Sequence, residues 1–169
     1  MKSLDAYAEF PVRTVLVSNL FSLASYALGI GIMLKAGLVF ALFYLAYILI
    51  LEVRLLKTSC TYCYYCGKRC GFGKGKISAF FFGFGEPKEF NSKTLSWKHM
   101  LPNMLVVLIP LGTAIFYLLT DFNLIVLLAA LFLAGLSTAG NGYVRGKLTC
   151  KHCRQRELGC PAEQLFNKK

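Results

Sequence analysis

Four long runs of uncharged, mostly apolar residues dominate the hydropathy pattern of the chain. They cover residues 14–34, 38–51, 100–119 and 124–144, and the second continues past two charged residues to Leu56. A helix of about 20 apolar residues crosses the roughly 30 Å hydrocarbon core of a bilayer. The first run is longer than the apolar core of a cleaved signal peptide, so we expect it to be retained. The pattern predicts an all-α membrane protein with four transmembrane helices.

Two short polar breaks group these helices in pairs. Lys35-Ala36-Gly37 separates the first two runs, and Thr120-Asp121-Phe122-Asn123 separates the last two. Breaks of this length favour antiparallel neighbours, so the fold class is two tandem hairpins, each followed by a cysteine-rich segment. The predicted organisation is a first hairpin at 1–56, a loop at 57–99, a second hairpin at 100–144 and a tail at 145–169.

Composition and charge placement agree with a membrane protein. Hydrophobic residues make up 56% of the chain and charged residues 16%, whereas about a quarter of a soluble domain is charged. All but one of the 19 Lys and Arg residues lie in the N-terminal segment, between Arg54 and Lys98, or in the tail, the exception being Lys35. Basic residues concentrate on the cytoplasmic side. We therefore predict an integral protein of the plasma or inner membrane with both termini cytoplasmic, and the formal charge of +11 does not indicate a nucleic-acid partner.

All seven cysteines follow the second or the fourth helix, on the predicted cytoplasmic side. Because disulfides are rare in that reducing compartment, metal binding or thiol chemistry is the expected use. The candidate metal ligands are Cys60, Cys63, Cys66, Cys70, Cys150, Cys153 and Cys160.

The cysteines form two sets with the same spacing. Cys60-x2-Cys63-x6-Cys70 corresponds to Cys150-x2-Cys153-x6-Cys160, 90 residues later. Lys57 and Lys147 hold equivalent positions before each set, whereas Cys66 is matched by Arg156. This spacing predicts a duplicated unit, a hairpin plus a cysteine segment, whose two cysteine segments meet.

The first set resembles an iron–sulfur run. Cys60-x2-Cys63-x2-Cys66-x3-Cys70 is similar to the cysteine run of bacterial ferredoxins, and Cys160-Pro161 resembles the Cys-Pro that ends that run. Gly71 stands where the first run would have its Pro. If the runs exchanged ligands as two-cluster ferredoxins do, Cys160 would complete a site with Cys60, Cys63 and Cys66. The other three cysteines would then be one ligand short.

Zinc is the alternative metal. Cys63-x2-Cys66-Gly67-Lys68 reads as a zinc knuckle in which Gly67 takes a positive φ, with Cys150-x2-Cys153 supplying the other two thiolates. His152 or His99 would join the remaining cysteines in a second site. The sequence leaves the metal undecided, although the spacing of the first run favours an iron–sulfur cluster.

The sequence predicts a membrane anchor rather than an enzyme or a pump. No charged residue or histidine lies deep within a span, as proton relays and coupled transporters need, and no carboxylate cluster or Ser/His/Asp set is evident. We expect a scaffold or an electron-transfer component with a protein partner at its cytoplasmic face. The alternative is a zinc-stabilised scaffold, or a metal or redox sensor without electron transfer.

The central loop carries an aromatic stretch beside lysines. Phe80, Phe81, Phe82 and Phe84 are flanked by Lys74, Lys76 and Lys88. Such a segment suits the headgroup layer, where lysines bind anionic phosphates and aromatic rings lie at the interface. The loop therefore predicts contact with anionic lipids, with Tyr62, Tyr64, Tyr65 and Trp97 as interfacial anchors.

Overall fold

All regular structure in the described part of the chain is helical. The computed structural model describes residues 6–86, 90, 97–158 and 160, except for the side chains of 97–99. Lys88, Pro161 and the side chains of Trp97 and His99 therefore lie outside the described residues. The longer helices are α1 (Val12–Ala36), α2 (Leu38–Leu55), α3 (Lys74–Phe82), α4 (Trp97–Thr120) and α5 (Leu124–Gly135). Two short helices follow, α6 (Asn141–Tyr143) and α7 (Arg154–Glu157).

The prediction of four helices able to span a membrane is confirmed. They cover Val12–Ala36, Leu38–Cys60, Met100–Thr120 and Leu124–His152. The predicted breaks are also where the helices end: Gly37, with a φ of 128°, separates α1 from α2. Asn123 begins α5 by accepting the backbone N–H of Ile125 on its side chain at 2.9 Å, which is a standard helix N-cap.

The second and fourth helices extend beyond their apolar runs. Leu56–Cys60 continues α2 as a π-helical turn, and Val144–Thr149 does the same in the fourth helix. Thr61 donates its hydroxyl to the carbonyl of Lys57 at 2.8 Å, and Thr149 donates to that of Val144 at 3.1 Å. The helices are therefore longer than predicted, because hydrogen bonding continues after the hydrophobic pattern ends.

The chain divides into two compact units. The helical unit comprises Leu20–Leu51 and Lys98–Gly142. One buried cluster in it joins Ile32, Ala114, Val126 and Leu133, and a second joins Met33, Ala41, Tyr44 and Ile48. Large apolar side chains also face outward: Phe43 is 72% exposed, Leu119 83% and Ile125 75%. A surface this apolar suits lipid as its solvent.

The second unit, the cysteine unit, comprises Met1–Asn19, Glu52–Trp97 and Tyr143–Lys169. It contains all seven cysteines. It is built from the N-terminal segment, the central loop and the tail, which are the three regions that carry nearly all of the basic residues.

Candidate metal centre

The first cysteine segment, residues 60–70, is a series of tight turns. The N–H of Cys63 donates to the carbonyl of Cys60 at 3.3 Å, and the N–H of Cys66 donates to that of Cys63 at 2.9 Å. Gly67 follows with a φ of 76°, so the predicted positive φ at this residue is confirmed.

The second cysteine segment, residues 150–160, repeats these hydrogen bonds. The N–H of Cys153 donates to the carbonyl of Cys150 at 3.3 Å, and that of Arg156 donates to Cys153 at 3.1 Å. Each bond joins residues that lie 90 positions after their counterparts in the first segment. The correspondence therefore includes these backbone hydrogen bonds as well as cysteine spacing.

Two hydrogen bonds join the segments, and they are reciprocal. The N–H of Tyr64 donates to Oε1 of Gln155 at 2.7 Å, and the N–H of Arg154 donates to the hydroxyl oxygen of Tyr65 at 3.0 Å. In the 90-residue register Tyr64 is equivalent to Arg154, and Tyr65 is equivalent to Gln155. Each segment thus donates one backbone N–H to the equivalent side chain of the other. Tyr65 is 1% exposed and Gln155 2%, so the contact is buried.

The N-terminal segment binds both cysteine segments. The N–H of Tyr7 donates to the carbonyl of His152 at 3.1 Å, and Tyr7 accepts the Tyr65 hydroxyl on its own carbonyl at 2.6 Å. The N–H of Phe10 donates to the carbonyl of Arg69 at 3.0 Å. The N-terminal segment and the two cysteine segments therefore meet at Tyr65.

His152 lies beside the contact between the N-terminal segment and the second cysteine segment. Its ring stacks on that of Tyr7, with centroids 4.8 Å apart. Its Nδ1 is buried and has no hydrogen-bond partner among the residues that the structure describes.

The sulfur atoms of Cys63 and Cys153 occupy matched environments. Burial raises the pKa of the Cys63 thiol to about 12, while the N–H of Tyr65, which donates to the sulfur, acts to lower it. Burial likewise raises the pKa of Cys153 to about 11, opposed by the N–H groups of Gln155 and Arg156. Backbone N–H groups aimed at sulfur stabilise the thiolate form. Both thiols are neutral at pH 7 without a metal, yet donors for their ionised form are already in place.

The seven thiols lie near one another. Cys60, Cys70 and Cys153 all lie near enough to Cys63 to raise its pKa further, Cys150 and Cys160 do the same to Cys153, and Cys66 lies near Cys60. The thiol of Cys66 also donates to the carbonyl of Gly83 at 3.4 Å. In the described part of the chain, no three His, Cys, Asp or Glu side chains are arranged to hold a metal ion. The thiols are thus gathered without forming a closed ligand sphere.

Helix α3 packs against the first cysteine segment. The N–H of Gly67 donates to the carbonyl of Gly75 at 3.0 Å, and the hydroxyl of Ser78 donates to that of Leu56 at 3.0 Å. Lys74, in the first turn, forms an ion pair with Glu52. The predicted aromatic stretch forms the end of this helix and the residues directly after it, and most of its rings are exposed. Phe80 is 84% exposed, Phe81 68% and Phe84 77%.

Comparison with known proteins places the chain in no established group. No protein family, curated protein or solved structure matches it. Its chemistry must therefore be inferred from its own residues.

Tyr65 and Gln155 hold the two segments together, and the sequence pattern did not indicate this role for either residue. The prediction that Tyr65 is an anchor at the membrane interface is wrong, because its side chain is buried and hydrogen-bonded within the cysteine unit. The 90-residue register did contain a signal, because it aligns Tyr65 with Gln155. Both are long side chains with a hydrogen-bonding end, and both stand two residues after a Cys-x2-Cys pair.

Proposed function

We propose that this chain is an integral membrane protein whose cytoplasmic cysteine unit binds metal through thiolates, and that the four spans anchor this centre at the membrane surface. The observation that carries the proposal is the reciprocal pair of buried hydrogen bonds between the two cysteine segments. These bonds bring the two sets of soft sulfur ligands into one compact unit. Clustered free thiols oxidise readily, whereas metal-bound thiolates are stable in a reducing compartment.

The donor set fits a thiolate metal site in chemistry and in backbone geometry. Cysteine sulfur is the preferred protein ligand for zinc and for iron–sulfur clusters. The Cys-x2-Cys turns and the N–H groups directed at Cys63 and Cys153 support ionised sulfur. Binding would require the thiol side chains to rotate towards a common point, while the turns that carry them keep their hydrogen bonds.

Zinc is the metal that the arrangement favours, and its role in this proposal is structural. A ferredoxin-like run uses all four cysteines of the first segment, and the predicted zinc knuckle also uses Cys66, but the thiol of Cys66 donates to the carbonyl of Gly83. A zinc site needs only four ligands, so the other thiols could supply it without Cys66. A zinc ion bound by both segments would stabilise their contact, because binding energy for a structural metal is folding energy.

An iron–sulfur centre in electron transfer is the second candidate. The spacing of the first run is the observation that favours it. In this role the cysteines of the first run would hold the cluster, and the cluster would supply one-electron transfer between partners at the cytoplasmic face. The spans contribute an anchor only.

The deciding experiment is anaerobic purification of the full chain in detergent, followed by elemental analysis and an absorption spectrum. Colourless protein with stoichiometric zinc supports the structural role. A broad visible band with iron and acid-labile sulfide supports electron transfer. A preparation that takes up neither metal after reconstitution, yet retains its helical content and thermal transition, overturns the proposal.

The orientation of the protein in the membrane is part of the proposal. The N-terminal segment, the stretch from Arg54 to Lys98 and the tail carry 18 of the 19 basic residues, and such residues are retained on the cytoplasmic side. Reporter fusions at the C-terminus and at Asp121 test this. A reporter active only in the cytoplasm should work at the C-terminus and fail at Asp121. The opposite result contradicts the orientation.

The exposed phenylalanines of α3 and of the residues directly after it are proposed to enter the headgroup layer of an anionic membrane. Phe80 and Phe84 are more than three-quarters exposed, and Lys74 and Lys76 lie on the same helix. The test is the accessibility of the stretch in vesicles with and without phosphatidylserine, measured with a fluorophore at a cysteine replacing Phe84. Blue-shifted emission that strengthens with the anionic lipid supports insertion. Emission typical of water in both vesicles contradicts it.

A further inference from the structure

An apolar groove lies between the first and fourth helices of the helical unit. Its volume is about 580 Å³. The wall on α1 includes Ala24, Gly31 and Lys35, and the wall on the fourth helix includes Ile125 and Leu136. Among the described residues that line the groove, Lys35 is the only polar one. The groove therefore joins a long apolar surface to a single cation.

Small side chains on α1 keep the groove open. Ala24, Ala27 and Gly31 fall at i, i+3 and i+7, so they share one face of the helix. Such a stripe usually lets two membrane helices pack closely. Here a Cβ added at Gly31 would meet only open space. The two helices meet instead beyond the groove, where a Cβ on Gly140 would lie 2.7 Å from the ring of Phe21. The small-residue face is thus left uncovered by the fourth helix.

The groove has the depth of one leaflet of a bilayer. Ala24 and Lys35 are 11 residues apart on α1, as Ile125 and Leu136 are on the fourth helix. At 1.5 Å per residue this is roughly 16 Å along the helix axis. One leaflet contributes about 15 Å to the hydrocarbon core. Because α1 ends at Ala36, Lys35 lies where the helix leaves the hydrocarbon, and the groove extends from that surface to about the middle of the membrane.

The surface end of the groove carries unmatched positive charge. Lys35 is exposed, and it forms no ion pair with a carboxylate of the described residues, the nearby Asp121 included. The N-terminus of α5 lies at the same end, where Ile125 stands in the first turn. A helix N-terminus carries a partial positive charge. Lys35 is also the one basic residue outside the three regions that hold the other 18. This end of the groove is therefore complementary to an anion at the membrane surface.

We propose that the groove binds one anionic phospholipid, with an acyl chain along the small-residue face of α1 and the phosphate at Lys35. The lipid belongs to the leaflet on the Lys35 side, which is the leaflet opposite the cysteine unit in the proposed orientation. A zwitterionic lipid binds less well, because its ammonium group also lies near Lys35. The site is independent of the metal centre, since the helical unit contains no cysteine.

The test is photocrosslinking of the full-length protein in detergent micelles to phosphatidylglycerol that carries a diazirine on one acyl chain. The label should appear in peptides from residues 24–35 and 125–136. Unlabelled phosphatidylglycerol should displace it about five-fold more effectively than phosphatidylcholine, the difference expected for one lysine at a membrane surface. Counting the label by peptide separates this site from lipids bound by the basic cytoplasmic regions.

Three variants divide the site into its parts. Lys35→Gln should keep the label in the groove but make the two unlabelled lipids equally effective. Gly31→Leu should abolish the label there, because its side chain occupies the groove. Gly112→Leu is the matched control: it is also a helical glycine with open space for a Cβ, but it does not line the groove. It should be labelled as the wild type is.

Several outcomes overturn the proposal. They are a wild type without label in these peptides, equal displacement by the two lipids, and a label that persists in Gly31→Leu. Crosslinks from the groove to a second copy of the chain, in place of lipid, also overturn it. If Gly31→Leu loses its helical content, Lys35→Gln decides, since it changes only an exposed side chain. A preference for phosphatidylglycerol that survives in Lys35→Gln contradicts the assigned role of this lysine.

Discussion

The hydroxyl of Tyr44 donates a hydrogen bond to the backbone carbonyl of Val106 at 2.6 Å. In an α-helix this carbonyl accepts the N–H four residues later, which here belongs to Pro110. Proline has no N–H, so the carbonyl would otherwise lack a helical donor inside an apolar unit. Tyr44 supplies that donor from α2, and its ring also fills the space that a side chain at Gly29 would need. The helix-breaking residue is thus accommodated by a hydrogen bond from a neighbouring helix.

We expect Tyr44→Phe to destabilise the helical unit by about 1 kcal/mol or more, because it leaves the Val106 carbonyl unsatisfied. Tyr47→Phe is the matched control. Tyr47 donates to the carbonyl of Pro102 at 2.8 Å, which retains the N–H of Val106 as its helical donor. The measurement is the free energy of unfolding in mixed micelles. Equal losses in the two variants would contradict the role assigned to Pro110.

A double-mutant comparison isolates that role. In a Pro110→Ala background the helical donor is restored, so Tyr44→Phe should cost measurably less than in the wild type. An unchanged cost would mean that Tyr44 stabilises the unit through packing alone.

The pairing of the two cysteine segments makes a second prediction. Gln155→Leu leaves the Tyr64 N–H without its acceptor in a buried contact, and Tyr65→Phe removes both the acceptor for Arg154 and the donor to Tyr7. Each should destabilise the cysteine unit by roughly 1–3 kcal/mol. Limited proteolysis of the purified protein measures this as faster cleavage within residues 57–86. Tyr143→Phe, at a side chain that is 50% exposed, should leave the cleavage rate unchanged.

Hydropathy was sufficient to predict the helices but not the cysteine unit. The breaks at Gly37 and Asn123 were predictable because an uncharged run ends where the chain leaves the hydrocarbon and a turn residue follows. The π-helical turns before Cys60 and Cys150 were not, since they depend on local hydrogen bonds after the apolar pattern stops. The burial of Tyr65 was also unpredictable from periodicity, because it follows from a contact with residues 89 positions away.

Gly75 makes a third prediction, about the packing of α3. A Cβ added at this residue would collide with the backbone carbonyl oxygen of Tyr65. Backbone cannot move aside as a flexible side chain can, so Gly75→Ala should separate α3 from the first cysteine segment at a cost of about 1–3 kcal/mol or more. Gly146→Ala is the control, because a Cβ there has nothing within 4 Å. A lowered thermal transition in Gly75→Ala alone is expected, and normal stability in both variants would contradict the packing.

The buried thiols make a final prediction, about pH in the metal-free protein. The pKa values of Cys63 and Cys153, about 12 and about 11, lie above the ordinary value of 9.0. Because the folded state holds these protons more tightly than the unfolded state does, their contribution to stability is complete below about pH 9 and is lost as the pH rises towards 12.

At pH 8 both thiols should therefore resist alkylation, whereas Cys150, which is exposed, should react first. Mass spectrometry of the peptides after timed alkylation checks this order, with urea-unfolded protein as the reference for full reactivity. Reaction of Cys63 at the rate of Cys150 would mean that burial does not protect it, and a thermal transition that stays constant from pH 8 to pH 11 would contradict the linkage.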